Sequence, residues 1–157
     1  MNDKSKNLLF SVVIALAVGG LSALLTSGNM DLYSEITKPP LAPPSILFPI
    51  VWTVFYILMG ISAAIIYNQK DEKTDEVRSA PTVYGINLFL NFFWSIIFFN
   101  LRAFLLSFIW LVALWITILV MIIKFYRIKP IAGILQIPYL LWVTFAGYLN
   151  LAIFLLN

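Results

Sequence analysis

Five apolar runs, at 7–27, 46–67, 81–100, 104–125 and 131–155, leave this chain few folds to choose from. None carries Asp, Glu, Lys or Arg in its interior. In hydrocarbon no water can take up a backbone N–H or C=O, so each run must satisfy its own backbone. A run of about 20 residues does so as a helix that crosses the bilayer. The composition agrees: 62% of the 157 residues are hydrophobic and 11% charged, against roughly a quarter charged in soluble domains. The expectation is an all-α fold, a polytopic membrane protein built as a bundle of five transmembrane helices, with residues 1–157 forming one domain. The first run is taken as a retained span, because it is long for the apolar core of a signal peptide and shows no obvious Ala-x-Ala-like cleavage site.

The connection at 28–45 is the unusual one. Prolines at 39, 40, 43 and 44 remove backbone donors and fix φ, which rules out helix interior and sheet ladder. They predict a stiff, extended loop that runs into a helix with Pro49 in its first turns. A plain hairpin between two spans needs no such rigidity, so this loop is expected to act as a lid. The segment 68–80, NQKDEKTDEVRSA, holds most of the acidic residues and is expected to be a solvated linker. Lysine and arginine set the orientation. Lys4, Lys6, Lys70, Lys73, Arg78, Lys124, Arg127 and Lys129 fall at one membrane face, Lys38 and Arg102 at the other. The amino terminus is therefore expected in the cytoplasm, with the proline loop and the carboxyl terminus outside.

Cysteine and histidine are both absent, which excludes disulfides, Cys/His metal sites, thiol nucleophiles and imidazole-based triads. No metal site is expected. The net charge of +3 is small and its basic residues sit at span ends, so nucleic acid is not an expected partner. Ion pumps and proton-coupled carriers commonly place charged groups at mid-membrane; here the intramembrane polar groups are the neutral Asn87, Asn91, Ser95, Gln136, Thr144 and Asn150.

These groups share helix faces with aromatics. Trp52, Tyr56, Met59, Gly60 and Ala63 recur at spacings of three or four or lie beside that stripe, as do Asn87, Asn91, Trp94 and Phe98, and then Tyr139, Trp142, Ala146 and Asn150. At about 1.5 Å of rise per residue, the three stripes converge in the outer half of the bundle, beneath the proline loop. A lipid-facing asparagine is costly, so Trp52, Trp94 and Trp142 are expected to line a cavity. Asn87 and Asn91 either join them or bond neighbouring helices. Trp110 fits an aromatic belt at the membrane interface, and Trp115 is lipid-facing or packing. Ala15, Gly19 and Ala23, at four-residue spacing, form a small-residue face suited to close packing within the chain.

The residues together resemble the tryptophan-rich sensory protein/translocator protein family, also called the peripheral benzodiazepine receptor family. The marks are Lys38-Pro39, Pro43-Pro44, Phe48, Val51-Trp52 and Tyr56, then Leu90-Asn91, Trp94, Phe98-Phe99 and Arg102, then Pro138-Tyr139, Trp142, Phe145-Ala146 and Leu149-Asn150. The resemblance covers nearly the whole chain and implies a bacterial cell-membrane protein, commonly a homodimer, whose pocket opens beneath the first loop. Family members bind porphyrins, including protoporphyrin IX, and benzodiazepine-site ligands. By matching position, Trp52, Tyr56, Asn91, Trp94, Phe98, Tyr139, Trp142, Phe145 and Ala146 would line that pocket. Two departures stand out. The family often has tryptophan where this chain has Leu41, and the tail LNLAIFLLN lacks the Leu/Val–Tyr–Lys/Arg pattern by which animal members are linked to cholesterol. Cholesterol is therefore a doubtful partner.

Three functions follow as alternatives. The first is a receptor or sensor in which a flat apolar tetrapyrrole stacks on aromatic side chains and is oriented by asparagine and tyrosine groups. Protoporphyrin IX would be ligand or substrate, with no covalently bound cofactor, and Lys38 and Arg102 would either meet its propionates or anchor the interface. The second is light-dependent porphyrin degradation, in which Trp52 and Trp142 would take part. The third is transport of porphyrins or other lipophiles.

Overall fold

The computed structural model describes residues 2–69 and 75–157. Part of the charged linker, with Lys70 and Lys73, lies outside the described residues. The fold is an all-α bundle in which five helical stretches are long and apolar enough to cross a membrane: Asp3–Asn29, Leu47–Tyr67, Val77–Asn100, Phe104–Ile128 and Pro130–Leu156.

Helix α1 (Asp3–Thr26) starts where the Asn2 side chain accepts the Ser5 N–H at 2.8 Å, satisfying one of the donors that a helix start leaves open. A 3-10 turn and the short α2 (Leu32–Glu35) interrupt the long connection that follows. That connection is therefore extended only over its proline-rich second half. Its first half, which carries no proline, is free to coil. Helix α3 (Leu47–Tyr67) tolerates Pro49 because the first turn has no intrahelical use for that N–H.

Helix α4 (Asp75–Ser95) begins six residues before the expected boundary, so Pro81 sits inside it. It continues as a π-helical turn, Ile96–Asn100, closed by a Leu101 N–H to Ile96 O bond of 3.1 Å. After α5 (Phe104–Ile128), the last span is broken. The five-residue α6 (Pro130–Ile134) and α7 (Ile137–Leu156) are separated at Leu135–Gln136. Pro138 explains the break, since it has no N–H to offer the carbonyl four residues back and its ring crowds that carbonyl.

Helix α5 buries Leu111, Leu114, Ile118, Met121 and Phe125 at alternating spacings of three and four. Its opposite face exposes Ile109, Val112, Ile116, Val120 and Ile123. The exposed face is as apolar as the buried one, which suits lipid on the outside. Helix α1 lies close against α3. A Cβ at Gly19 would run into the Tyr56 ring, and one at Gly60 would meet the Val12 backbone. The small-residue face of α1 packs within the chain.

Candidate functional site

At the end of the bundle that carries the long loop, α1, α3, α4 and α7 stand apart around a cavity of about 570 Å³. Its roof is the first half of the loop, through Met30, Asp31, Tyr33 and Ser34, with Ser45 and Ile46 from the loop's far end. Two aromatic walls face into it. Helix α3 supplies Phe48, Trp52 and Tyr56; the end of α4 supplies Trp94, Phe98 and Phe99. Trp94 and Phe98 are stacked, with ring centroids 5.1 Å apart and planes at 24°. The π-helical turn at Ile96–Asn100 lets the neighbouring Phe98 and Phe99 both reach the cavity, and such turns recur at functional sites. The volume lies within the range of small-molecule pockets, roughly 300–1,000 Å³.

The polar side chains of the walls are held in place. Tyr56 Oη donates to Asn91 Oδ1 at 2.8 Å, Asn91 Nδ2 donates to Tyr139 Oη at 2.7 Å, and Tyr139 Oη donates to Asn87 Oδ1 at 3.2 Å. This chain crosses three helices and forms the floor. Higher up, Trp94 Nε1 donates to Asn150 Oδ1 at 3.1 Å, and Asn150 Nδ2 donates to Phe104 O at 2.9 Å. Ser22 Oγ donates to Phe92 O at 2.9 Å, tying α1 to α4. A wall fixed before a ligand arrives loses less entropy on binding.

The roof is docked rather than free. Leu32 is buried against Phe98 and Ile153. Asn157 brackets Thr37, with Nδ2 on its carbonyl at 2.9 Å and Oδ1 accepting its N–H at 3.0 Å. Tyr148 Oη donates to Pro40 O at 2.8 Å, and Arg102 pairs with Glu35 at 3.3 Å. Tyr33 Oη donates to Pro43 O; partial burial holds the Tyr33 phenol above its ordinary pKa, so it remains a donor. Leu41 and Arg102 both take positive φ, 71° and 51°. Leu41 is largely exposed and absent from the cavity lining, so the position that separates this loop from the family pattern points away from the space beneath.

Of the nine residues the sequence assigns to the pocket, Trp52, Tyr56, Asn91, Trp94, Phe98 and Ala146 line the cavity. Tyr139 is fully buried behind the floor and acts on it through Asn91. Trp142 and Phe145 lie behind the α3 wall. Trp142 packs on Phe48 at 5.9 Å, Phe55 at 6.3 Å and Phe145 at 5.6 Å, so it stands one ring away from the cavity. Neither Lys38 nor Arg102 reaches the lining. Trp110 is half-buried and donates to Leu90 O at 2.7 Å, so it joins two helices as well as fringing the bundle. Among the described residues no group of three His, Cys, Asp or Glu converges to hold a metal.

Sequence reasoning missed the α1 wall, formed by Gly19, Ser22, Ala23 and Thr26. The signal was present in the Ala15, Gly19, Ala23 spacing. Small residues that let two helices touch also leave room where the helices part.

A sequence profile described as the TspO/MBR family matches residues 11–156. The tryptophan-rich protein TspO of Chlorobaculum tepidum is 36% identical over 158 residues, spanning 100% of this chain and 99% of its own. Protein CrtK of Rhodobacter capsulatus is 32% identical over 151 residues, spanning 95% and 92%. The tryptophan-rich protein TspO of Archaeoglobus fulgidus is 34% identical over 151 residues, spanning 96% of each.

Proposed function

The chain belongs to the TspO/MBR family of integral, multi-pass membrane proteins, and on that premise we propose that it is a membrane receptor or sensor for flat apolar ligands. Porphyrins, protoporphyrin IX among them, and benzodiazepine-site ligands would bind in the cavity under the loop. The observation that carries this reading is the pair of facing aromatic walls, Trp52 with Tyr56 and Trp94 with Phe98, around about 570 Å³. Aromatic faces stack on a planar ring in offset or edge-to-face geometry, with about 0.5–1.5 kcal/mol per pair beyond the area buried. The Tyr56–Asn91 floor and the Asn150-anchored Trp94 N–H hold those faces at fixed positions.

Below the cavity floor the bundle closes on Met59, Tyr139, Ile118 and Met121, all fully buried. A pocket closed below by packed side chains favours a receptor over a conduit. Light-driven degradation through paired tryptophans would need both indoles against the ligand, and Trp142 stands behind Phe48 and Phe55. In this reading the protein lies in a bacterial cell membrane as a homodimer. The loop end and the carboxyl terminus face outward, following the eight-to-two partition of basic residues.

Titrating the purified protein with protoporphyrin IX while following tryptophan emission tests the reading. Saturable quenching that weakens in Trp52→Phe or Trp94→Phe, and persists in Trp142→Phe, is expected. Quenching indifferent to Trp52 and Trp94 would remove the ligand from this cavity.

A further inference from the structure

Four charged side chains stand at the loop end: Asp31, Glu35 and Lys38 in the long connection, and Arg102 in the turn between α4 and α5. Three do not line the cavity and have partners of their own. Arg102 Nη2 lies 3.3 Å from Glu35 Oε2. Lys38 Nζ donates to Tyr33 O at 2.8 Å and sits 4.9 Å from the centroid of the Tyr33 ring. Asp31 is the one charged side chain among the described residues that lines the cavity. Although it occupies the N-cap position of α2, its carboxylate caps nothing, and it has no ion pair among the described residues. The other polar groups around the space, such as Ser22, Thr26, Ser34 and Ser95, are neutral.

A carboxylate at the mouth of a cleft with apolar walls has a larger effect than one on open surface. The low-dielectric walls focus its field into the opening. A ligand that presents a carboxylate there meets like charge with no cation in the lining to offset it. A neutral polar end meets hydroxyls, and a cationic end meets a free partner. We propose that Asp31 makes this site selective for flat apolar ligands whose polar end is neutral or cationic, and selective against those that bring free carboxylates to the mouth. The inference rests on the aromatic-pocket reading above and narrows its ligand class. For a tetrapyrrole, it assigns preference to rings whose propionates are esterified or amidated.

The test uses the full chain in nanodiscs of phosphatidylcholine, a zwitterionic lipid that adds no net surface charge. Wild type and Asp31→Asn are titrated by tryptophan quenching with protoporphyrin IX, with its dimethyl ester, and with a bis-amide of the same ring bearing two tertiary amines. The ligands partition differently into lipid, so the readout is the change that the substitution makes for each ligand. Asp31→Asn is expected to tighten the free acid about fivefold at low salt, to loosen the bis-amine by a similar factor, and to leave the ester within about twofold. Both charge effects should shrink in high salt. Asp31 is exposed and unpaired, so an unchanged melting temperature serves as the folding control. If Asp31→Asn leaves the free acid unchanged or weakens it, the charge selection is overturned while the pocket stands. The charge selection is equally overturned if Lys38→Gln or Arg102→Gln loosens the free acid, because those cations would then be meeting the propionates. If none of the three ligands quenches saturably in either protein, the pocket reading fails and this inference fails with it.

Discussion

At the loop end, α1, α3, α4 and α7 part around a cavity of about 570 Å³, whereas the opposite end of the bundle is filled, with Met59, Met121 and Ala132 wholly buried. The hollow half nevertheless has a hydrogen-bonded polar frame, with the buried Trp142 Nε1 behind its wall left unpaired among the described residues. Tyr56, Asn91, Trp94 and Asn150 are each paired to another helix or to the start of α5. In the packed half, Gln136 has neither side-chain nitrogen nor oxygen paired among the described residues, and Tyr84 Oη is unpaired as well; at the border, Asn87 Nδ2 is also without a partner. Packing keeps the lower half together. The upper half gives up packing for space and relies on a polar frame to keep that space open.

The comparison can be broken first by overfilling the packed contact between α1 and α3. Gly60→Leu would drive a side chain into the Val12 backbone, and a loss of about 3 kcal/mol or more is expected. Gly20→Leu, where nothing lies within 4 Å, should be near neutral. Thermal melting in detergent compares the two. An equal loss at both positions would mean that α1 does not rest on α3 as described.

Next, the polar frame and the unpaired amide should respond with opposite signs. Asn91→Leu leaves Tyr56 and Tyr139 without their shared partner, at an expected cost of about 1–3 kcal/mol. Gln136→Leu removes unpaired polar atoms from a fully buried position and should stabilise by about 1 kcal/mol or more. Denaturant titration reads both, and a destabilised Gln136→Leu would show that this amide has partners.

The α1 wall offers a sharper cut between fold and site. Ala23→Phe places a ring in the cavity from the side that sequence reasoning overlooked. Quenching by protoporphyrin IX should weaken at least about tenfold, which is about 1.4 kcal/mol, while the melting temperature moves little. Retained affinity would place the ligand elsewhere. The smallest effect belongs to the roof. Glu35 and Arg102 are 55% and 54% exposed, so Glu35→Gln should cost under about 1 kcal/mol. Its mark should be a modestly faster ligand dissociation in stopped flow.

The same contrast explains what can be read from the sequence. The five spans are legible because hydrocarbon enforces length and hydrophobicity directly. The six assigned residues that line the cavity are legible because polar and aromatic side chains share faces with a helical repeat. Trp142 obeys the same repeat, being three residues after Tyr139 and four before Ala146, yet it falls behind Phe48 and Phe55. A stripe gives the direction of a side chain on its own helix, and the way two helices cross decides what that direction meets. The π-helical turn and the break at Leu135–Gln136 are hidden for a related reason, since both depart from the regular helical repeat. Ser22 and Thr26 are hidden because a mostly apolar first helix gives no reason to look for a hydrophilic wall.

The docked roof also bears on time. A ligand that passes the roof on the way in meets the same crossing on the way out. A change confined to the height of that crossing, such as a looser bracket of Asn157 on Thr37, multiplies the on-rate and the off-rate by one factor and cancels from their ratio. Variation in the roof would then adjust how quickly the protein follows a change in ligand supply. The concentration at which it responds would stay with the walls.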